Sequence, residues 1–395
     1  MSDHTHTHRW GAVFAMSLAA FALVASEFMP VSLLTPLAAD LHISEGQAGQ
    51  GISVSGLFAL LTSLSIAGVA ARVDRQRLLL ALTLLMILSA TVVALAPNYL
   101  TFMFGRALIG VAIGGFWSLS AATAMRLVPS AHVPRALAIV NGGNALATVI
   151  AAPLGSFLGG LIGWRGAFFC VVPVAIVAGV WLLASLPSIK TDTKAKTDNV
   201  FRLIKNATVA LGMAAACVFF MGQFMLFTYL RPFLENVTHA SVPTLSLMLL
   251  MLGLAGLAGT VLIERFVRNS LYLTLMVIPL LMTLIAIGLV AWGSSPMATT
   301  VLLGLWGLIA TAAPVGWWTW LSRVLPEDAE AGGGLMVAII QLAIASGATL
   351  GGAVFDLSGY RATFELSAAL LGIASLLAYL TSRRATATYV SSRAT

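Results

Sequence analysis

The feature that most constrains this chain is a succession of long apolar runs, separated by short polar or Pro/Gly-containing breaks. Roughly 20 helical residues are needed to cross the hydrocarbon core of a bilayer. Because lipid offers the backbone no hydrogen-bond partners, a run of this length has to form a helix. Twelve transmembrane helices are predicted, at residues 11–39, 46–71, 78–96, 99–125, 136–162, 165–186, 207–233, 242–263, 271–292, 296–322, 332–355 and 362–381.

The composition excludes a soluble globular protein. Apolar residues make up 59% of the chain and charged residues only 9%, whereas about 25% of the residues in soluble domains are charged. We therefore predict an all-α membrane protein. The formal net charge of +7 requires no nucleic-acid partner, because the cytoplasmic loops of membrane proteins collect Lys and Arg. Cys170 and Cys217 both lie in apolar runs, so no disulfide framework is expected.

The distribution of Lys and Arg predicts the orientation in the membrane. With an even number of spans both termini lie on one side, and 17 of the 21 Lys and Arg residues fall on that side. The opposite side has only Arg165, Arg231 and Arg361, and Arg106 lies inside the fourth span. Because positive residues accumulate in cytoplasmic loops, we expect both termini to be cytoplasmic.

Two halves are indicated by short repeats and by one long polar stretch. RLVP at 126–129 recurs as RVLP at 323–326, and GWRGAFF at 163–169 recurs as GYRATFE at 359–365, at offsets of 197 and 196 residues. A nearly constant offset is typical of a duplicated unit. We predict two pseudo-symmetric six-helix bundles and three polar segments: an N-terminal tail at 1–10, bundles at 11–186 and 207–382, a cytoplasmic linker at 187–206 and a C-terminal tail at 383–395.

Two charged residues inside predicted spans are the main candidates for function. Glu27 lies about halfway through the first span, with Pro30 three residues later. A charge at that depth costs about 2.5–3.5 kcal/mol even on lenient scales, so a functional role is the default interpretation. Arg106 keeps its proton and needs an anion or carbonyl partners. A Glu27–Arg106 pair would form a proton switch; the alternatives are a structural glutamate and an arginine that snorkels or ties carbonyls together.

Weaker candidates surround these two residues. Asp74 and Arg75, in the loop ARVDRQRL at 71–78, are predicted to form a conformational lock, or simply a positive cytoplasmic loop. Pro153, Gly155 and Gly159 predict a kinked helix with a small-residue face, which suits sliding contacts as well as ordinary tight packing. Polar and aromatic residues inside spans are candidates for contacting a polar, ring-bearing solute: Trp117, Asn141, Asn144, Gln223, Tyr229, Trp317, Trp318 and Gln341.

Several kinds of chemistry lack their residues. The six histidines lie in predicted loops or the N-terminal tail, so no metal site is expected at membrane depth. No Gly-rich phosphate loop ending in Lys-Ser/Thr occurs, so ATP hydrolysis is not expected. We found no nucleophile, metal or acid pair typical of a membrane enzyme, and we predict a protein that is not an enzyme and needs no cofactor.

The motifs together resemble the major facilitator superfamily over nearly the whole chain. ARVDRQRL is similar to the loop motif between helices 2 and 3 of this superfamily, with Ala70 in place of the usual leading glycine. FGRALIGVAIGG is similar to its helix-4 arginine motif, and APLGSFLGG is similar to its helix-5 antiporter motif. SEFMPVSLLTPLAADLHISEGQAGQ resembles the drug:proton antiporter branch, which includes sugar exporters. GGFWSLSAATAMRLVP, GQFMLFTYLRPF, PVGWWTWLSR and VAIIQLA resemble bacterial purine ribonucleoside efflux pumps.

The resemblance implies a major facilitator fold and proton-driven efflux across a bacterial inner membrane. Glu27 and Arg106 would hold the proton-coupling positions, and purine nucleosides such as inosine or guanosine would be the solute. The expected partners are protons, a small-molecule solute and membrane lipid, and we expect a monomer. A sugar exporter of the arabinose type, a multidrug exporter and a non-transporting membrane sensor remain as alternatives.

Overall fold

The computed structural model describes residues 9–70, 72–189, 200–326 and 329–394, and within them the regular structure is helical, with no strand. The helices are α1 (Trp10–Leu41), α2 (Glu45–Ala70), α3 (Arg75–Ala94), α4 (Tyr99–Leu127), α5 (Val133–Phe169), α6 (Val171–Ser185), α7 (Ala207–Thr228), α8 (Leu230–Asn236), α9 (Val242–Trp292), α10 (Pro296–Ala310), α11 (Ala313–Val324) and α12 (Ala329–Ala394). Short 3-10 helices cover Ser130–His132 and Val200–Lys205. The prediction of an all-α membrane protein is confirmed.

The helices supply enough length for twelve crossings. Among the described residues, nine helical segments are long and apolar enough to cross a membrane, and three of them have 51, 51 and 54 residues. About 20 residues suffice for one crossing, so each of these three, Arg135–Ser185, Val242–Trp292 and Gly332–Ala385, has the length of two. Each contains a residue with non-helical backbone angles: Gly163, Ser270 and Gly359.

Most predicted spans agree with observed helices to within a few residues, and the clearest difference is at the C-terminus. Helix α12 continues to Ala394, whereas the last predicted span ends at 381. Residues 1–8 of the predicted N-terminal tail, Ala71 at the end of the second predicted span and residues 190–199 of the predicted linker lie outside the described residues.

Several helices begin where a short polar side chain satisfies the first free N–H groups, as expected of helix N-caps. The side-chain oxygen of Asn98 accepts a hydrogen bond from Thr101 N at the start of α4. Asn206 accepts from Thr208 N and Val209 N at the start of α7. Ser241 and Ser295 cap α9 and α10 in the same way, and each is followed by proline in the first helical turn.

The backbone repeats the offset that the sequence motifs have. Gly163 and Gly359, which are 196 residues apart in the GWRG and GYRA motifs, have φ of 75° and 76°. His42 and His239, which are 197 residues apart, both have φ of 54°. The left-handed region is uncommon outside glycine, so the occurrence of two matched pairs at offsets of 196 and 197 residues supports the predicted duplication.

The chain divides into two compact units. Unit 1 comprises Met1–Leu37 and Val54–Lys196, and unit 2 comprises Ala38–Ser53 and Thr197–Thr395. In unit 1, α3 packs against α4, α5 and α6. In unit 2, α12 packs against α7 and α9, and α9 packs against α10 and α11. The end of α1 and the first turns of α2 therefore pack with helices from the second half of the sequence.

Candidate functional site

Glu27 lies in the middle of α1, within unit 1, and only 5% of its surface is exposed. Pro30 and Pro36 follow inside the same helix. Proline lacks the N–H that an interior helical residue donates, so the carbonyl one turn earlier loses its usual partner. For Pro30 that carbonyl belongs to Ser26. The carbonyls of Ser26 and of Glu27 next to it receive hydrogen bonds from outside the helix.

Arg106 donates those hydrogen bonds from α4. Its Nη1 donates to the Ser26 carbonyl at 2.8 Å, and its Nη2 donates to the Glu27 carbonyl at 2.9 Å and to Ser55 Oγ at 3.1 Å. The guanidinium is fully buried, so it does not snorkel to an interface. The negative charge of Glu27 also acts on this guanidinium, and the two residues predicted to couple protons therefore lie together.

Helix α2 completes the surroundings of Arg106, and its closeness to α4 depends on two glycines. A Cβ added at Gly110 would collide with the Ser55 carbonyl, and one added at Gly114 would collide with the Ala59 carbonyl. Small residues at this spacing let two helices approach closely. The contact brings Ser55 Oγ within reach of the guanidinium.

Helix α5 packs on the turn of α1 that follows Glu27. A Cβ added at Gly155 would lie 2.7 Å from Ser32 Oγ, and one added at Gly159 would collide with the Leu33 side chain. Pro153 lies inside the same helix. The Gly155 and Gly159 face of the predicted antiporter motif therefore contacts the helix that carries the acidic residue.

An aromatic cluster lies beside this part of α1. Phe21, Phe28 and Trp117 pack on a small apolar patch formed by residues of α1 and α5: Val24, Ala25, Ala147 and Ala151. The Trp117 ring is half-buried and meets Phe116 edge to face, with the centroids 5.9 Å apart. Trp117, a predicted solute contact, thus packs against the segment of α1 that carries Glu27.

The two predicted asparagine contacts of unit 1 lie on α5. Asn141 is exposed, and its amide donates to the Leu137 carbonyl of its own helix at 2.9 Å. Asn144 is half-buried, one turn before Ala147 of the aromatic cluster. Their contact with a solute stays a prediction.

In unit 2, three predicted aromatic contacts have different environments. The Tyr229 hydroxyl donates to the Ala348 carbonyl at 2.7 Å, and its ring stacks on Phe355 with the centroids 5.2 Å apart. Trp317 is buried against Phe219 and Trp320. Trp318, in contrast, is 40% exposed. Tyr229 and Trp317 therefore already have packing partners within unit 2.

Two glutamines of unit 2 have unused acceptors. Gln223 Oε1 on α7 and Gln341 Oε1 on α12 are buried and accept no hydrogen bond from the described residues. A buried polar atom without a partner is costly, so these oxygens can accept a hydrogen bond from a polar solute.

The loop between α2 and α3 is attached to the end of the first half of the chain. The Asp74 carboxylate accepts hydrogen bonds from the Gln76 and Arg77 amides at 2.9 and 3.4 Å, and from Ser188 Oγ at 2.7 Å. Burial raises the pKa of Asp74, but the bonds from Ser188 and the two amides outweigh it, and the pKa is held below its ordinary value of 3.8. Arg75 N also donates to the Ile189 carbonyl at 3.2 Å.

Sequence reasoning missed two residues of these sites. Ser55 lies in an apolar stretch of α2, and nothing in the sequence around it indicates that its hydroxyl contacts Arg106. Ser188 follows the last apolar run of the first half, and its contact with Asp74 spans 114 residues. No group of three or more His, Cys, Asp or Glu residues that could hold a metal ion occurs in the part of the chain that the structure describes.

Known proteins resemble this chain over almost its whole length. A model of the Major Facilitator Superfamily matches residues 16–348. The chain is 60% identical to the transcription regulatory protein OpdE of Pseudomonas aeruginosa over 378 residues, which cover 95% of this chain and 94% of that protein. It is 40% identical to the purine ribonucleoside efflux pump NepI of Salmonella paratyphi B over 376 residues, which cover 95% of each.

The fold agrees with these sequence relationships. A crystal structure of the nucleoside transporter NupG superimposes with a TM-score of 0.78 at 11% identity, covering 95% of this chain and 100% of that one. The predicted fold and the resemblance stated from the motifs are thereby confirmed. The chain therefore belongs to the Major Facilitator Superfamily, and it is a multi-pass membrane protein of a transporter family rather than an enzyme.

Proposed function

We propose that this transporter exports purine ribonucleosides, such as inosine and guanosine, in exchange for protons. The observation that carries the proposal is the 40% identity to a purine ribonucleoside efflux pump over 95% of both chains. Identity at this level extends well beyond motifs that mark only the superfamily.

The Glu27–Arg106 arrangement supports the proton step. A carboxylate that is buried beside a guanidinium is stabilised in its ionised form by the positive charge and destabilised by the loss of water. A proton that reaches Glu27 removes its attraction to Arg106, and its departure restores that attraction. The hydrogen bonds of Arg106 to the carbonyls at 26 and 27 do not depend on this proton, so the site keeps its geometry while its charge changes.

The other candidate residues receive roles by the same proposal. Trp117 provides an aromatic face for the purine ring, and Asn144, Gln223 and Gln341 provide hydrogen-bonding groups for the base and ribose. Asn141, Tyr229, Trp317 and Trp318 remain candidates of lower structural support, because the first three have other contacts and Trp318 is exposed. Asp74 and Arg75 act as a conformational lock, and the α5 face with Pro153, Gly155 and Gly159 moves against α1.

The proposal includes a bacterial inner membrane, cytoplasmic termini and a monomeric transporter. The 17 Lys and Arg residues on the side of the termini support this orientation through the positive-inside rule. The bundles are proposed at 11–186 and 207–382, with the cytoplasmic linker at 187–206. Alternating exposure of a central site between two such bundles is the expected mode of transport.

Transport into inverted membrane vesicles tests the proposal. Vesicles from cells that produce the protein, and matched vesicles without it, receive labelled inosine outside and an acidic interior. We expect inosine uptake that requires the protein and collapses when a protonophore is added. If inosine does not enter but arabinose or a dye does, in a protonophore-sensitive way, the solute belongs to the sugar or multidrug alternative.

A membrane sensor is a second candidate function. It is favoured by the 60% identity to a protein that is named a transcription regulatory protein. A sensor binds its solute without moving it across the membrane. Saturable binding of inosine to the purified protein, together with no uptake of inosine, arabinose or dye into vesicles, would support this function and contradict export.

A further inference from the structure

The start of α2 is held by a carboxylate from α12, and both belong to unit 2. Asp356 accepts a hydrogen bond from Ser44 Oγ at 2.5 Å through one oxygen and from the Gly46 amide at 3.0 Å through the other. The residues are more than 300 positions apart in the sequence. Ser44 and Gln47 also form a local cap, in which Gln47 N donates to Ser44 Oγ and Ser44 N donates to Gln47 Oε1.

The contact between α2 and α12 continues one to two turns further along both helices. Thr349 Oγ1 lies 2.9 Å from Ser53 Oγ and 3.2 Å from Gln50 Oε1. A Cβ added at Gly46 would collide with the Asp356 carboxylate and lie 2.6 Å from the Gly352 carbonyl. One added at Gly49 would collide with the Tyr229 hydroxyl. Segment 38–53 therefore packs on α12 through small residues, with the Asp356 carboxylate bonded at the start of α2.

The position of the carboxylate suits the end of a helix. The first N–H groups of α2 have no partner in their own helix, and the helix dipole places partial positive charge there. A carboxylate that accepts one of these N–H groups makes a charge-assisted hydrogen bond, about twice as strong as a neutral one. The bond from Asp356 to Gly46 N therefore stabilises both the start of α2 and its seat on α12.

The duplication of the chain does not account for this carboxylate. Ser241, which lies 197 residues after Ser44, caps α9 in the corresponding place. Gly160, which lies 196 residues before Asp356, has no side chain to offer. Only one of the two corresponding positions therefore has the acid, so this contact is not a consequence of the duplication.

We propose that Asp356 is a latch that holds segment 38–53 on α12, and that this latch opens when the transporter exposes its solute site to the membrane face on which residues 42 and 357 lie. The latch concerns the conformational cycle and does not depend on which solute is carried. Breaking it favours the conformer in which segment 38–53 has left the rest of unit 2.

Distances between two spin labels test the latch. His42 and Leu357 are both exposed, and nitroxide labels on H42C and L357C report the separation of the two segments in a background of C170S and C217S. In the labelled protein that keeps Asp356, we expect one short distance between the two labels to dominate. D356A should raise the ratio of long to short distances about tenfold, and D356N, which keeps an acceptor but no charge, should have an intermediate effect.

A second variant and two controls make the outcome decisive. G46A inserts a methyl group where Asp356 and the Gly352 carbonyl lie, so it should lengthen the distance by another route. E365Q removes an exposed acid on the same helix that pairs with Arg361, and G68A adds a methyl group to α2 where no atom lies within 4 Å. Unchanged distances in both D356A and G46A, or an equal change in E365Q, would overturn the proposal. Since no solute is present, either result is independent of nucleoside export.

Discussion

The guanidinium of Arg106 donates a hydrogen bond to the backbone carbonyl of Glu27, at 2.9 Å. A second bond reaches the Ser26 carbonyl at 2.8 Å. Because these acceptors are backbone atoms, the turn of α1 that carries the carboxylate is held whether Glu27 is ionised or protonated. The carbonyl bonds position the acid, and under the proposed function its charge would be left to respond to protons and solute.

Replacing Glu27 by Gln separates the position of this side chain from its charge experimentally. The bonds from Arg106 to the carbonyls remain, so we expect E27Q to fold and to bind solute with nearly unchanged affinity. Exchange against a proton gradient should fall at least about a hundredfold, because the amide cannot carry the proton. Binding by calorimetry and uptake into inverted vesicles check the two expectations, and full gradient-driven export by E27Q would contradict the mechanism.

Arg106 is expected to matter for stability as well as for transport. R106A leaves two carbonyls and Ser55 without their donor in a buried place, so we expect a loss of about 3–5 kcal/mol in the free energy of unfolding. R106K keeps the charge but cannot reproduce the fork of the guanidinium, and it should lose less. Unfolding in mixed micelles measures both. Equal stability of R106A and the unmodified protein would show that these bonds contribute nothing.

The contact between α2 and α4 should be intolerant of a single methyl group. In G110A the new Cβ meets the Ser55 carbonyl, so the helices must separate and we expect a loss of about 1–3 kcal/mol. G142A is the matched control, because no atom lies within 4 Å of its added Cβ. Alanine in an open helical position should stabilise by about 0.5–1 kcal/mol. Unfolding of the two variants should therefore change in opposite directions.

The bond from Ser188 to Asp74 predicts a pH dependence. The pKa of Asp74 is lowered in the folded protein, so its stabilising contribution is complete above the unfolded pKa and is lost as the pH falls through the folded pKa. S188A removes one of the bonds that lower this pKa, so the variant should be less stable at neutral pH and should lose less further stability as the pH falls. Thermal unfolding between about pH 3 and pH 7 measures this change in pH dependence.

A nearby serine provides the control for this experiment. S185A removes an exposed hydroxyl that bonds only to the Trp181 carbonyl of its own helix among the contacts described. We expect its unfolding to keep the pH dependence of the unmodified protein. An identical acid transition in S188A and S185A would mean that the bond to Asp74 does not affect its titration.

Trp117 and Trp318 are predicted to differ in their effect on solute affinity. Trp117 packs beside the Glu27 segment of α1, and loss of stacking with a purine base should weaken binding by about 1–3 kcal/mol. Trp318 is exposed on α11, and W318A should change the affinity by less than W117A does. Titration of inosine into each purified variant measures both affinities. A larger loss of affinity in W318A than in W117A would contradict the placement of the purine base beside Trp117.

The amino-acid sequence alone predicted that the chain lies in lipid and that it folds into transmembrane helices. Long apolar runs can be recognised in one dimension, because lipid imposes helices of a minimum length wherever such a run occurs. The same rule drew attention to Glu27 and Arg106, because a charge is conspicuous in an apolar run. The duplicated motifs at offsets of 196 and 197 predicted corresponding positions, and the matched positive φ values of Gly163 and Gly359 agree with them.

Only the tertiary structure decided which groups meet. The sequence left open whether Arg106 pairs, snorkels or ties carbonyls together, since its bonds to Ser26, Glu27 and Ser55 join residues 51 to 80 positions apart. It also gave no indication that Ser44 meets Asp356 or that Ser188 meets Asp74. Local patterns record how each helix faces lipid, whereas contacts between helices depend on packing in three dimensions, where a single glycine or hydroxyl determines how closely two backbones approach.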